Sequence, residues 1–185
     1  MPTRTTTPDA VALLKADHRS VEELFRKFEE TGGQATKQRI AQQICRELMV
    51  HATIEEEIFY PAVKEDVDAE IYNEAHVEHD GAKMLIAEIL AGSPDDEFFD
   101  AKVKVLSEMI KHHVKEEEQR DGMFAQAKQG EADLRTLGEQ MAQRKAELTD
   151  EFKRNGLPVP ETRSMQGVEL QHGKPLEFHP QSVEA

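Results

Sequence analysis

The sequence predicts an all-α protein: an up-down-up-down four-helix bundle followed by an additional C-terminal helix and an extended tail. Three observations predict it. Apolar residues recur at three- and four-residue spacing over four long segments. Pro and Gly punctuate the chain lightly until its last part, so the connections are short. Aromatics make up only 5% and Trp is absent, while charged residues reach 32%, a mix that suits amphipathic helices better than a β-sandwich.

Each element has its own signals. Thr7-Pro8-Asp9 reads as an N-cap, a first-turn proline and an acidic first turn. The stripe Val11, Leu14, Val21, Phe25 and Phe28 follows, and Gly32-Gly33 ends the helix. Thr36 is expected to cap a second helix with the stripe Ile40, Ile44, Leu48 and Ile58, which Pro61 kinks or ends. Ala75, Ala82, Ile86 and Ile89 mark a third helix, closed by Gly92. Ser93-Pro94-Asp95-Asp96 is expected to open the fourth, whose stripe is Phe99, Val103, Leu106 and Ile110.

A fifth helical stretch is expected from about Phe124 to Lys153, with Leu134, Leu137, Met141 and Leu148 on its apolar side. Gly130 and Gly138 each weaken it by about 1 kcal/mol relative to Ala. From Asn155-Gly156 the chain turns polar and proline-rich, as an extended tail would. The expected organisation is a bundle over 8–125, a C-terminal helix over 126–154 and a flexible tail over 155–185.

Composition excludes several functions. Lys+Arg 23 against Asp+Glu 37 leaves a net charge of −14 in 185 residues, with no basic face for phosphate contacts, so no nucleic-acid partner is expected. No run of about 18 apolar residues is present to span a membrane. The Thr-rich start, Met1 to Pro8, lacks the apolar core of a signal peptide. Cys45 is the single cysteine, which excludes an intramolecular disulfide and fits a reducing cytosol, so a cytoplasmic location is expected.

The informative residues are those that interrupt the apolar stripes while staying in register. The series 11, 14, 18, 21, 25, 28 places His18 on the buried face of the first helix. The series 40, 44, 48, 51, 55, 58 places His51 and Glu55 on that of the second. His79 falls within 75, 79, 82, 86, 89, and His113 and Glu117 within 99, 103, 106, 110, 113, 117. Four inward imidazoles and two inward carboxylates without partners would consume much of a domain's stability of roughly 5–15 kcal/mol. One or two divalent cations would give every lone pair a partner, and the facing helices of a bundle are where such sites are built.

The pattern also repeats. His18 and His51 are 33 residues apart (51 − 18), and His79 and His113 are 34 apart (113 − 79). His51-Ala52-Thr53-Ile54-Glu55-Glu56 aligns without a gap on His113-Val114-Lys115-Glu116-Glu117-Glu118, and Asp17-His18 aligns on Glu78-His79. The chain therefore reads as two helical hairpins, each giving one His and then a His-x-x-x-Glu, with a two-metal centre between them. A competing register pairs His112 and Glu116 with Val105 and Met109; the alignment with His51 favours His113 and Glu117.

These motifs resemble the hemerythrin-like, or HHE cation-binding, domain family. Its carriers are Asp17-His18-Arg19-Ser20-Val21, His51 to Glu57 with Ile58-Phe59-Tyr60-Pro61, Glu78-His79, and His112-His113-Val114-Lys115-Glu116-Glu117-Glu118. The resemblance implies a four-helix bundle holding two Fe ions as a non-haem, oxo- or hydroxo-bridged centre. By it, His18, His51, His79 and His113 are terminal ligands, and Glu55 and Glu117 are bridging carboxylates. His76 lies three residues before His79, so it is an additional candidate ligand but no clean match to the extra histidine of the oxygen carriers. The second motif lacks the Phe-Tyr-Pro ending of the first and runs Gln119-Arg120-Asp121-Gly122-Met123-Phe124.

Other residues have simpler readings. Glu56 and Glu118 sit one residue sideways of the stripe and are expected to be solvated, with a cap on a metal as the alternative for one of them. Tyr60 packs under the bundle end or hydrogen-bonds a bound oxygen species. Cys45 is a small core or boundary residue, and His172 and His179 in the tail lack partners. Imidazole and carboxylate without thiolate suit Fe, and equally Mn or Zn. The expected function is a non-haem di-iron protein that binds or senses O₂, peroxide, NO or iron. The alternatives are a redox enzyme degrading peroxide or NO at that centre, and a metal-independent helical interaction module; no flavin or haem motif decides the question of enzyme activity.

Overall fold

The computed structural model describes residues 7–165. The expectations placed on residues 1–6 and 166–185, including His172, His179 and the rest of the tail, lie outside the described residues. Among the described residues the regular elements are all helical: α1 (Ala10–Glu30), α2 (Gln34–Ile54), a π-helical turn (Glu55–Phe59), α3 (Tyr60–Val63), α4 (Ala69–Ala91), α5 (Phe99–Glu118), α6 (Met123–Ala127) and α7 (Leu134–Asn155). α1, α2, α4 and α5 form the four-helix bundle, and α7 lies across α1 and α2.

The apolar stripes become the core. Val11, Leu14, Val21, Phe25 and Phe28 of α1 are buried, as are Ile40, Ile44 and Leu48 of α2. Ala75, Ala82, Ile86 and Ile89 of α4 meet Phe99, Val103, Leu106 and Ile110 of α5. Cys45 is fully buried within the same core, and burial pushes its thiol up to about 12.

Helix ends differ from the sequence expectations in four places. The α1 cap is Asp9 rather than Thr7, its Oδ1 accepting the Ala12 amide at 2.8 Å. α2 starts at Gln34 on Gly33, two residues before Thr36, and no side chain caps it. Ser93 to Asp96 forms a self-contained turn, with the Ser93 amide on Asp96 Oδ2 at 2.7 Å, so α5 begins only at Phe99. The expected fifth helix is two: the chain breaks after α6, Asp66 accepts the Glu131 amide, and Asp133 caps α7 through the Arg135 and Thr136 amides. Gly130, which packs against Asp66, lies in the break.

Pro61 acts on α2 in a particular way. Its ring would collide with the carbonyl four residues back. Here the preceding turn widens instead: the Tyr60 amide reaches the Glu55 carbonyl, an i→i−5 bond. That wider turn swings Tyr60 back towards the inward face that Glu55 occupies, where both side chains are fully buried. At the matching point after Glu117, α5 ends and the chain turns at Gly122, where a Cβ would stand 2.2 Å from the Glu116 carbonyl oxygen. α6 then delivers Phe124 to the bundle end.

Beyond Gly156 the chain runs without regular structure to Met165 and lies against α4. The Asp80 carboxylate, almost fully buried, gathers this strap through one oxygen. Oδ2 accepts the amides of Arg163 at 2.9 Å, Ser164 at 2.5 Å and Met165 at 3.2 Å, and the Ser164 hydroxyl at 2.6 Å.

Candidate metal centre

The two hairpins bring six ligand-type side chains to one point in the bundle. His18, His51, Glu55 and Glu117 form one group, and Glu55, His79 and His113 a second; within each, ligand atoms lie within 4.8 Å of one another and every residue is buried. Nε2 of His18 faces Nε2 of His51 at 3.2 Å, and Nε2 of His79 faces that of His113 at 3.2 Å. Glu55 Oε2 lies 3.1 Å from His51 Nε2 and 3.4 Å from His79 Nε2, so one carboxylate oxygen touches both groups. Glu117 does the same with two oxygens, Oε2 at 3.4 Å from His18 Nε2 and Oε1 at 3.7 Å from His113 Nε2.

The outward edge of each imidazole fixes what its inward edge offers. His18 Nδ1 meets Glu118 Oε1 at 2.8 Å, His79 Nδ1 meets Glu56 Oε1 at 3.0 Å, and His113 Nδ1 meets Glu78 Oε2 at 2.8 Å. His51 Nδ1 faces Asp17 Oδ2 at a longer 3.7 Å. An ionised carboxylate only accepts, so the neutral imidazole carries its proton on Nδ1 and presents a lone pair at Nε2. Three such lone pairs, on His18, His79 and His113, then converge with His51 Nε2 and two carboxylates; His51 Nδ1 is buried without a hydrogen-bond partner. Glu55 Oε1 and Oε2 and Glu117 Oε2 are buried without a hydrogen-bond partner; the 3.1 Å approach of Glu55 to His51 is close but not aligned as a hydrogen bond.

Buried, convergent electron pairs demand a positive charge between them. Burial alone would lower the His51 imidazole, but Glu55 and Asp17 outweigh it and raise it to about 10. Burial likewise opposes and Glu55 and Glu56 prevail at His79, raised to about 9. Burial pushes the Glu55 carboxyl up, yet His51 and His79 hold it well below the usual carboxylate range. The buried carboxylates thus favour positive charge at this point, and the mix of imidazole nitrogen and carboxylate oxygen is compatible with a divalent first-row metal.

Two rings close the bundle end over the site. Tyr60 stacks on His79 with centroids 5.4 Å apart, and Phe124 stacks on His18 at 5.8 Å. Phe124 thus occupies the place that the missing Phe-Tyr-Pro ending left open, but without a hydroxyl. The Tyr60 hydroxyl donates to Glu117 Oε1 at 3.1 Å and lies 3.3 Å from His79 Nε2. Burial, with Glu117 and Glu55 beside it, raises the phenol well above its ordinary value, so it keeps its proton.

Four residues of the predicted motifs stand apart from the two groups. His76 belongs to neither; its ring lies edge-on to Tyr60 at 5.3 Å and Tyr72 at 4.9 Å. His112 is exposed and its Nε2 meets Glu78 Oε1 at 3.2 Å, so His113 and Glu117, not His112 and Glu116, point inward. Glu56 and Glu118 correct the sequence expectation. Glu56 is only 6% exposed, and both acids hold imidazoles rather than water. The signal was in the duplication: Asp17 and Glu78 precede the single histidines, and Glu56 and Glu118 follow the inward glutamates.

On the inner side of the histidines lies a small apolar cavity walled by Val21, Leu48, Ala82, Ile86, Ile110 and Val114. It leaves about 20 Å³ for the centre of a water-sized molecule, slightly more than one such molecule needs.

A four-helix bundle with two adjoining buried His/Glu groups defines a class of helical cation-binding proteins. The chain belongs to the hemerythrin HHE cation binding domain family, which matches residues 9–127. A DNA nickase from Nostoc sp. (strain PCC 7120) is 30% identical over 106 residues, 57% of this chain, and the chain spans only 30% of that relative's length. The crystal structure of an HHE cation binding domain-containing protein from Mycobacterium kansasii superposes with a TM-score of 0.69 at 24% identity, covering 81% of this chain and 95% of that one. That likeness shows the fold. None of the described helices is long and apolar enough to cross a membrane.

Proposed function

We propose that this protein binds two metal ions, iron in the first instance, and uses them to bind a small ligand of the size of O₂, NO or peroxide. The observation that carries the reading is the convergence of four Nε2 atoms on two carboxylates, three of whose oxygens are buried without partners. His18 and His51 would hold one ion and His79 and His113 the other, with Glu55 and Glu117 between them. Mn or Zn suits the same donors. Iron when bound would supply a redox-active site with room for one further ligand.

The chain's own residues set what that ligand is. The apolar cavity, with space for about one water-sized molecule, suits a small ligand better than an organic substrate. Tyr60 holds a proton on its hydroxyl beside Glu117 and His79, while Phe124, which has no hydroxyl, fills the matching place on the His18 side. Val21, Ile110 and Val114 make the inner side apolar. A cytoplasmic location belongs to the same reading and rests on the single, buried Cys45. The activity named for the Nostoc relative is not carried over: most of that protein lies outside the match, and a net charge of −14 opposes a DNA backbone.

Metal analysis of the purified protein tests the proposal, alongside Glu55→Gln, which keeps the shape and removes the shared charge. The wild type is expected to retain iron and the variant to lose most of it while staying helical. A variant that binds metal as the wild type does would overturn the assignment. Turnover of peroxide or NO by the iron-loaded protein would make it an enzyme rather than a binding protein.

A further inference from the structure

We infer that the chain beyond the family domain reaches back to the metal centre and positions one imidazole in each half of it. The inference rests on the dinuclear reading above. The family match ends at residue 127, and α7 and the strap follow it. Each sends a cation to the far side of a carboxylate that faces a histidine.

The strap makes the firmer connection. Arg163 Nε lies 3.3 Å from Glu56 Oε2, and Glu56 Oε1 meets His79 Nδ1 at 3.0 Å. Lys83, buried beside them, donates to Glu56 Oε1 at 2.6 Å and Oε2 at 2.9 Å, and to the Glu161 carbonyl of the strap at 3.1 Å. The anchor for this stretch is Asp80, the residue after His79, which accepts three successive strap amides. Ligand, carboxylate and strap are thus tied at two neighbouring positions of α4.

α7 makes the second connection. Lys145 pairs with Asp17 Oδ1, and Asp17 Oδ2 faces His51 Nδ1 at 3.7 Å. The other two imidazoles are served from within the family domain. Glu118, on His18, pairs with Lys15 at 3.3 Å and with Arg19, while Glu78, on His113, meets His112 at 3.2 Å. One histidine of each group is therefore linked to the bundle alone, and the other to the C-terminal segment.

Arg163 and Lys145 are positioning residues with a definite electronic sense. A cation beyond the carboxylate weakens the carboxylate's pull on the Nδ1 proton, so the imidazole donates less charge to its metal. Neutralising either cation strengthens that pull and removes a positive charge near the site. Both effects favour the more oxidised metal.

The test uses the full chain. Arg163→Gln and Lys145→Met change partly exposed side chains, and Arg163→Lys and Lys145→Arg restore the charge. Nitrogen-15 spectra of the imidazoles, recorded on metal-free and zinc-loaded protein, are expected to show the His79 Nδ1 resonance moving in Arg163→Gln and that of His51 in Lys145→Met. His18 and His113 should stay in place. On the iron-loaded protein both neutral variants should lower the midpoint potential, and the charge-restoring variants should return it. Unmoved His79 and His51 resonances, or all four histidines moving together, would overturn the inference. A chain that takes up no metal would sink the dinuclear reading instead, and the metal-free spectra would still decide this one.

Discussion

Each inward imidazole is faced by an acid that is a sequence neighbour of a different inward residue. Asp17 and Glu78 precede His18 and His79 but face His51 and His113. Glu56 and Glu118 follow Glu55 and Glu117 but face His79 and His18, each across to the other hairpin. The sequence shows these four acids in the aligned copies, yet the one-residue offset reads as a solvated flank. The offset is real: a neighbour on a helix points about 100° away. In a bundle that direction leads to the cleft between adjacent helices, where the outer edge of the next helix's imidazole stands. Glu78→Gln is expected to weaken metal binding by about 10–100-fold, the usual effect of removing such a partner, read by competition with a chelator. Tyr60→Phe should leave metal content unchanged while altering the affinity of the site for NO, since Glu117 Oε1 then loses its donor. Cys45, buried with its thiol raised to about 12, should resist thiol-specific labelling at pH 8 until the protein is unfolded.

At the scale of elements, the inward faces of α1, α2, α4 and α5 were legible because period and burial agree at nearly every position. His18, His51, His79 and His113 could be read from register alone, since each lies on the buried face its stripe defines. Helix ends were less legible. Ser93 to Asp96 has the composition of a helix start, but the same groups satisfy one another in a turn. The π-helical turn before Pro61 inserts one residue and turns the following face by about 100°, so Ile58 of the expected stripe is only partly buried while Phe59 and Tyr60 are fully buried. The break before α7 depends on Asp66, far away in sequence. Gly138 shows how contact overrides propensity. In mid-helix a Gly→Ala change gains about 1 kcal/mol. A Cβ at Gly138, however, would stand 2.3 Å from the Pro8 carbonyl oxygen and 2.7 Å from the Asp9 carbonyl carbon, both backbone atoms. Gly138→Ala should therefore destabilise by about 1–3 kcal/mol, the range for overpacking, measured by urea unfolding. Leu106→Ala, at a fully buried position of α5, should cost about 2–5 kcal/mol in the same assay.

For the whole molecule, the centre joins elements that would otherwise share only apolar contact. Its six inward residues come from α1, α2, the π-helical turn, α4 and α5, so a metal bound there ties both hairpins together. A cation that binds only the folded state stabilises it by about 2.7 kcal/mol at a hundred times its dissociation constant. Chelation should accordingly lower the unfolding temperature, and the loss should vanish in Glu55→Gln. The family membership was legible because the motif is duplicated and each copy supports the other. The acidic composition argued against a nucleic-acid role, whereas the docking of the strap was not legible: its anchors, Asp80 and Glu56, read as ordinary acids on amphipathic helices until the fold places the strap against them.

The most direct measurement is the metal content of the protein purified without added metal, with an absorption spectrum before and after exposure to air. About two metal ions per chain are expected, one for each of the two adjoining groups, with ferric absorption in the near ultraviolet that is lost in Glu55→Gln. A folded protein that holds no metal and takes up none on anaerobic reconstitution would contradict that expectation.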